Sequence, residues 1–171
     1  MANPFFNTNK NIESSKIKFK KESGFSLTEL IMAVSIVGVL SAIAIPNYRG
    51  QLCRAESADA EATIGSIKSI ISAFADETGV LPTTWNELNS VSAIMTNKGQ
   101  ATGNLSSAIT LPNENYSLTV TNPSEFEFTL KAARLEQCKK RDIIACIDLS
   151  NGASDLKRGD GIENATNPIC T

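Results

Sequence analysis

One carboxylate inside an apolar run, four cysteines and a complete absence of histidine set the chemistry open to this chain. The carboxylate is Glu29, the only charge in FSLTELIMAVSIVGVLSAIAI, residues 25–45. A charged side chain costs about 2.5–3.5 kcal/mol at the centre of a bilayer and less near its surface, so Glu29 calls for a reason, and a cationic partner supplies one. Cys53, Cys138, Cys146 and Cys170 include no CxxC pair. That weakens a zinc reading and favours two disulfides in an oxidising compartment. Without histidine the commonest general base and the commonest metal ligand are missing. No carboxylate pair stands in a recognisable motif. We therefore expect no catalytic residues, no metal, no cofactor and no enzymatic activity.

The elements that position these residues follow from charge and periodicity. Residues 1–24 hold five lysines against two glutamates, a net of +3, so residues 25–171 hold −5 of the whole chain's −2. A basic start before an acidic body points to a targeting segment in front of an exported domain, and away from nucleic acid as a partner. The short basic run Lys139-Lys140-Arg141 reads as a solvated turn. About 20 apolar residues in a helix cross a hydrocarbon core, and residues 25–45 meet that length. Lys20 and Lys21 precede them and hold the N-terminus in the cytoplasm by the positive-inside rule.

Pro46 follows the run at once and should kink or end a helix there. Helical spacing resumes beyond it, with Ile64, Ile67, Ile70, Ile71 and Phe74 on one face and Gly79 as a stop. One kinked helix over residues 25–77 would be about 80 Å long, far beyond a small domain. One half of it must be buried in something else. Thr84 and Glu87 fit a capping box. Residues 89–106 read as a loop. Three strands are expected from alternation: Tyr116, Leu118 and Val120; Phe126, Phe128, Leu130 and Ala132; Ile143, Ala145, Ile147 and Leu149. Asn122-Pro123 and Asn151-Gly152 supply turns, and the tail 151–171 is polar and needs a staple. Three glycosylation sequons, at Asn104, Asn115 and Asn164, read as chance matches in polar loops.

The junction KKESG-FSLTEL, with Gly24, Phe25 and Glu29, resembles the processing site of type IV pilins and pseudopilins, and Pro46 in AIAIPNY matches the family's proline. The close resemblance covers residues 20–55. It implies an α+β pilin-like fold: a long N-terminal helix whose first half spans the membrane and whose second half packs on a small antiparallel sheet. It implies a leader over 1–24, a membrane and filament-core helix over 25–45, and an exported domain over 46–171. A prepilin peptidase would cut after Gly24 and methylate the new amine of Phe25. Glu29 would pair with that amine on a neighbouring subunit. Gly24 suits a protease that grips extended backbone, because it has no side chain. Implied partners are copies of itself and other pilins, the peptidase, an inner-membrane assembly platform and the inner membrane before assembly. The implied destination is an extracellular pilus.

Four cysteines allow three pairings. The family's habit of tying the sheet to the C-terminal segment favours Cys146–Cys170, leaving Cys53 with Cys138; a local Cys138–Cys146 bridge is the rival. The same motif serves pseudopilins of type II secretion systems, which is the alternative functional reading. Two further readings compete. Ala42-Ile43-Ala44 matches a signal-peptidase site that would release a soluble domain at Ile45, but Glu29 and the length of the run count against it. A single-pass membrane enzyme would need a catalytic constellation that the residues do not offer.

Overall fold

The computed structural model describes residues 24–122, 124–135 and 138–170. The expected leader lies outside the described residues except for Gly24, and so does Pro123 of the expected Asn122-Pro123 turn. Helix α1 runs Leu27–Thr78 with Pro46 inside it. The chain divides into two compact units, Met1–Ala42 and Ile43–Thr171. In the first unit, the described residues 27–42 are helical, and all of them but the half-buried Ser41 are exposed.

In the second unit, helix residues 43–78 put Ser57, Ala60, Ile64, Ile67, Ile71 and Phe74 on one stripe at spacings of three and four, and all are buried. Asn47 donates from Nδ2 to the Ile43 carbonyl at 3.2 Å, which supports the turn around Pro46. The helix stops at Gly79, whose φ of +70 suits a residue without Cβ. Thr84 caps the one-turn helix α2, Trp85–Leu88, through the expected capping box with Glu87. The carboxylate of Glu87 also accepts from the Thr83 and Thr84 amides, which hold its pKa below the usual range.

Seven strands follow: β1 Met95–Thr96, β2 Gly99–Gln100, β3 Ile109–Thr110, β4 Tyr116–Thr121, β5 Glu127–Arg134, β6 Ile143–Asp148 and β7 Ser154–Arg158. β1 and β2 form a small hairpin, and the others form an antiparallel meander in the order β3-β4-β5-β6-β7. The alternating set Tyr116, Leu118, Val120, Phe128, Leu130, Ala132, Ile143 and Ala145 is buried in one core with the helix stripe, Trp85 and Leu88. Each buried valine, leucine, isoleucine or phenylalanine among them contributes about 1.5–3 kcal/mol by leaving water. The fold is therefore α+β, with a long helix and an antiparallel sheet.

Three details depart from the reading of the sequence. Residues 89–106 are not all loop: they hold the β1–β2 hairpin, and Ile94, Ala101 and Leu105 are buried. The tail supplies β7, paired with β6 from Ile143↔Arg158 to Ile147↔Ser154. Phe126 is no strand residue; it stands in the turn before β5 and is 46% exposed.

Tyr116 ties three segments together at one end of the core. Its buried hydroxyl lies 3.2 Å from Ser57 Oγ on the helix and donates to the Arg141 carbonyl at 3.0 Å. Arg134 stacks over its ring at 4.9 Å and forms an ion pair with Glu56. Tyr116→Phe strands the Arg141 carbonyl without its donor. It should lower stability by about 1–3 kcal/mol with little change in the slope of urea unfolding. An unchanged unfolding midpoint would show that the hydroxyl holds nothing.

Candidate functional site: the junction before the helix and its cysteine staples

Gly24, Phe25 and Ser26 precede the helix in non-helical conformation and are exposed. Among the described residues, and apart from its chain neighbour, no atom lies within 4 Å of where a Cβ on Gly24 would sit. Phe25 is 89% exposed. The helix then begins on a reciprocal cap. Glu29 Oε2 accepts from the Ser26 amide at 2.8 Å, and the Glu29 amide donates to Ser26 Oγ at 3.2 Å. This is a capping box, S-x-x-E, and it satisfies two of the amides that a helix N-terminus leaves without partners. The S-x-x-E signature at Ser26 follows the same rule as Thr84 and Glu87, and it lies inside an apolar run where the charge of Glu29 is the more prominent feature. Glu29 therefore has a local role, starting the helix, besides any role between chains.

Beyond the cap, Leu27, Leu30, Ile31, Met32, Val34, Ile36, Val37, Val39, Leu40, Ile43 and Ile45 are all exposed. Ser35, a polar residue in this stretch, returns its hydroxyl to the Ile31 carbonyl at 2.8 Å. Serine can satisfy itself this way in a medium without water. By length and composition the helix can cross a membrane.

The cysteines close two loops in the second unit. Cys53 on the helix is joined to Cys138 after β5, with Cα atoms 5.8 Å apart. Cys146 on β6 is joined to Cys170 in the tail, with Cα atoms 6.0 Å apart. Closing loops of these sizes stabilises by about 3–4.7 kcal/mol through the unfolded state. Among the described residues no group of His, Cys, Asp and Glu is arranged to hold a metal ion.

The residues 19–45 match the family model of the prokaryotic N-terminal methylation motif. Curated proteins similar to this chain are fimbrial. The fimbrial protein EcpC of Eikenella corrodens is 34% identical over 61 residues, which is 36% of this chain and 40% of that protein. A fimbrial protein of Pseudomonas aeruginosa is 38% identical over 50 residues, 29% of this chain and 32% of that protein. The type IV major fimbrial protein FimA of Dichelobacter nodosus is 36% identical over 50 residues, 29% of this chain and 32% of that protein. The matched region thus spans well under half the length of these relatives. No solved structure matches the chain. The chain thus carries a prokaryotic N-terminal methylation motif and is similar, over part of its length, to fimbrial proteins, among them a type IV major fimbrial protein.

The tail has a second anchor besides its disulfide. Asp155 Oδ2 accepts the Ile169 amide at 3.0 Å, and this bond, then the one from the Leu156 amide, holds its pKa below the usual carboxylate range. A depressed folded-state pKa contributes stability that is present above about pH 4 and lost as the pH falls through the lower, folded value. Hydrogen exchange should therefore find the Ile169 amide protected at neutral pH and released in acid, with the disulfide intact. Asp155→Asn should remove the pH dependence. Protection that persists unchanged to the acid limit would mean that the carboxylate is not the anchor.

Proposed function

We propose that this chain is a subunit, major or minor, of a type IV pilus and has no enzymatic activity. The observation that carries the reading is a methylation motif over residues 19–45 joined to a helix whose apolar side chains stand exposed. Residues 1–24 serve as a leader, held in the cytoplasm by its lysines. Residues 25–45 anchor the precursor in the inner membrane and later pack in the filament core. Residues 46–171 form the exported part on the outside. A prepilin peptidase cuts between Gly24 and Phe25 and methylates the new amine. An assembly platform in the inner membrane then draws the helix into a filament of copies of this chain and other pilins. Transfer from lipid to a bundle of like helices exchanges one apolar surrounding for another, so small residues and charge pairs decide the packing.

Glu29 supplies the charge pair. Its carboxylate, set at the start of the helix, meets the cationic amine of Phe25 on the next subunit. Pairing within the filament core offsets the cost of keeping a carboxylate out of water.

Two experiments test this. The mass of the chain isolated from shed filaments should equal residues 25–171 plus one methyl group. A start at Ile45, or an intact Met1, would contradict the processing. The second separates the two roles of Glu29. Glu29→Gln retains an oxygen for the Ser26 amide, hence the capping box, and removes the charge. It should insert in the membrane as the parent does and fail to enter filaments, as Glu29→Val should. Normal filament yield from Glu29→Gln would refute the pairing and leave Glu29 as a cap alone.

A further inference from the structure

The second unit carries a cleft with two cations on its rim and, at the other end of β5, an exposed aromatic residue between two carboxylates. The cleft, about 1020 Å³, opens between helix residues 49–56, the loop 113–115 and the end of β5. Leu52 and Leu135 line it with apolar surface and are 43% and 48% exposed. Arg49 and Lys139 stand on its rim, and neither makes an ion pair among the described residues. Of the carboxylates that line it, Glu56 is paired with Arg134, while Glu114 accepts from the neutral Asn97 amide at 3.4 Å and keeps its charge, so the described lining holds three cations against two carboxylates. The protrusion is the turn before β5. Phe126 is exposed there between Glu125 and Glu127, which likewise make no ion pair among the described residues. The turn is held in place by its backbone: the Phe126 carbonyl accepts from the Leu149 amide at 2.9 Å. No lysine or arginine occurs from residue 99 to residue 130, so nothing along this stretch offsets its carboxylates.

We propose that the Glu125-Phe126-Glu127 turn of one copy docks in this cleft on a second copy, with Phe126 against Leu52 and Leu135 and the two carboxylates facing Arg49 and Lys139. Cleft and protrusion lie at opposite ends of β5, which at ~3.3 Å per residue separates Phe126 from Leu135 by about 30 Å. A turn cannot reach the cleft of its own chain. A protrusion that fits a cleft elsewhere on an identical molecule makes a heterologous contact, which repeats without closing and builds a fibre. An aromatic anchor on a pre-formed turn loses little freedom on docking, and flanking charges select the partner and its orientation. The inference rests on the filament reading and adds where neighbouring exported parts meet.

The test uses the full chain in cells that assemble filaments, with shed filament yield measured against the mature chain left in the membrane. Three changes should each lower the yield about tenfold or more at an unchanged membrane level: Phe126→Ala; Glu125→Lys with Glu127→Lys; and Arg49→Glu with Lys139→Glu. Joining the two charge reversals in one chain restores opposite charges across the contact and should bring the yield back to within about threefold of the parent. Parental yield from both reversals would overturn the docking and leave the pilus reading intact. Two defective reversals that do not rescue each other would assign the cleft to a different pilin or another partner, and overturn docking between copies. Filaments of the parent strain that lack this chain altogether would remove the pilus reading and the docking with it.

Discussion

Apolar side chains from Leu27 to Ile45 find no cover among the described residues of this chain. A helix turn that exposes leucine, isoleucine and valine all round is unfavourable in water by about 25 cal/mol for every Å² it shows. Two surroundings remove that cost, a lipid bilayer and a bundle of like helices. Moving between them changes the free energy little, because lipid tails and leucine side chains are equally apolar. A chain with such a segment can be stored in a membrane and later packed into a filament by small differences in contact. Glu29 and Ser26 fit the same constraint. The capping box gives the carboxylate a local partner in the Ser26 amide, and the proposed pairing with a neighbouring amine would give it a charged one on assembly.

The second unit holds a core of its own. Its helix stripe and sheet face bury a continuous core, and its disulfides tie the segment after β5 to the helix and the tail to β6. The sheet edges are managed by size and charge. β3 has two residues, and β7 is Ser-Asp-Leu-Lys-Arg, whose polar side chains discourage pairing with another sheet. In the proposed filament, growth would then fall to the apolar helix and to side-chain contacts between exported parts. Sheet pairing, which would aggregate without order, is avoided.

Much of this was legible in the residues, and the exceptions have physical causes. Period two marked β4, β5 and β6 because each buries one face. It could not mark β7, which has no buried position and owes its place to pairing with β6 and to the Cys146–Cys170 staple. β1 and β2 have two residues each, too few for any period. Phe126 continued the alternation of Phe128 and Leu130 by one step, yet the Ser124 carbonyl and the Leu149 amide hold that step in a turn. Cys53 and Cys138 lie 85 residues apart, so their meeting depends on the packing of helix against sheet rather than on local spacing. At the junction, Glu29 stood out as a charge in an apolar run, and that prominence hid its ordinary part as the third residue of a capped helix.

The most direct measurement is immunogold labelling of shed filaments, with antibody raised against residues 46–171, in a parent strain and a strain lacking the gene. A filament subunit predicts label repeated along the filaments of the parent and none in the deletion strain. Unlabelled filaments in the parent, with the antigen recovered as soluble protein, would contradict it.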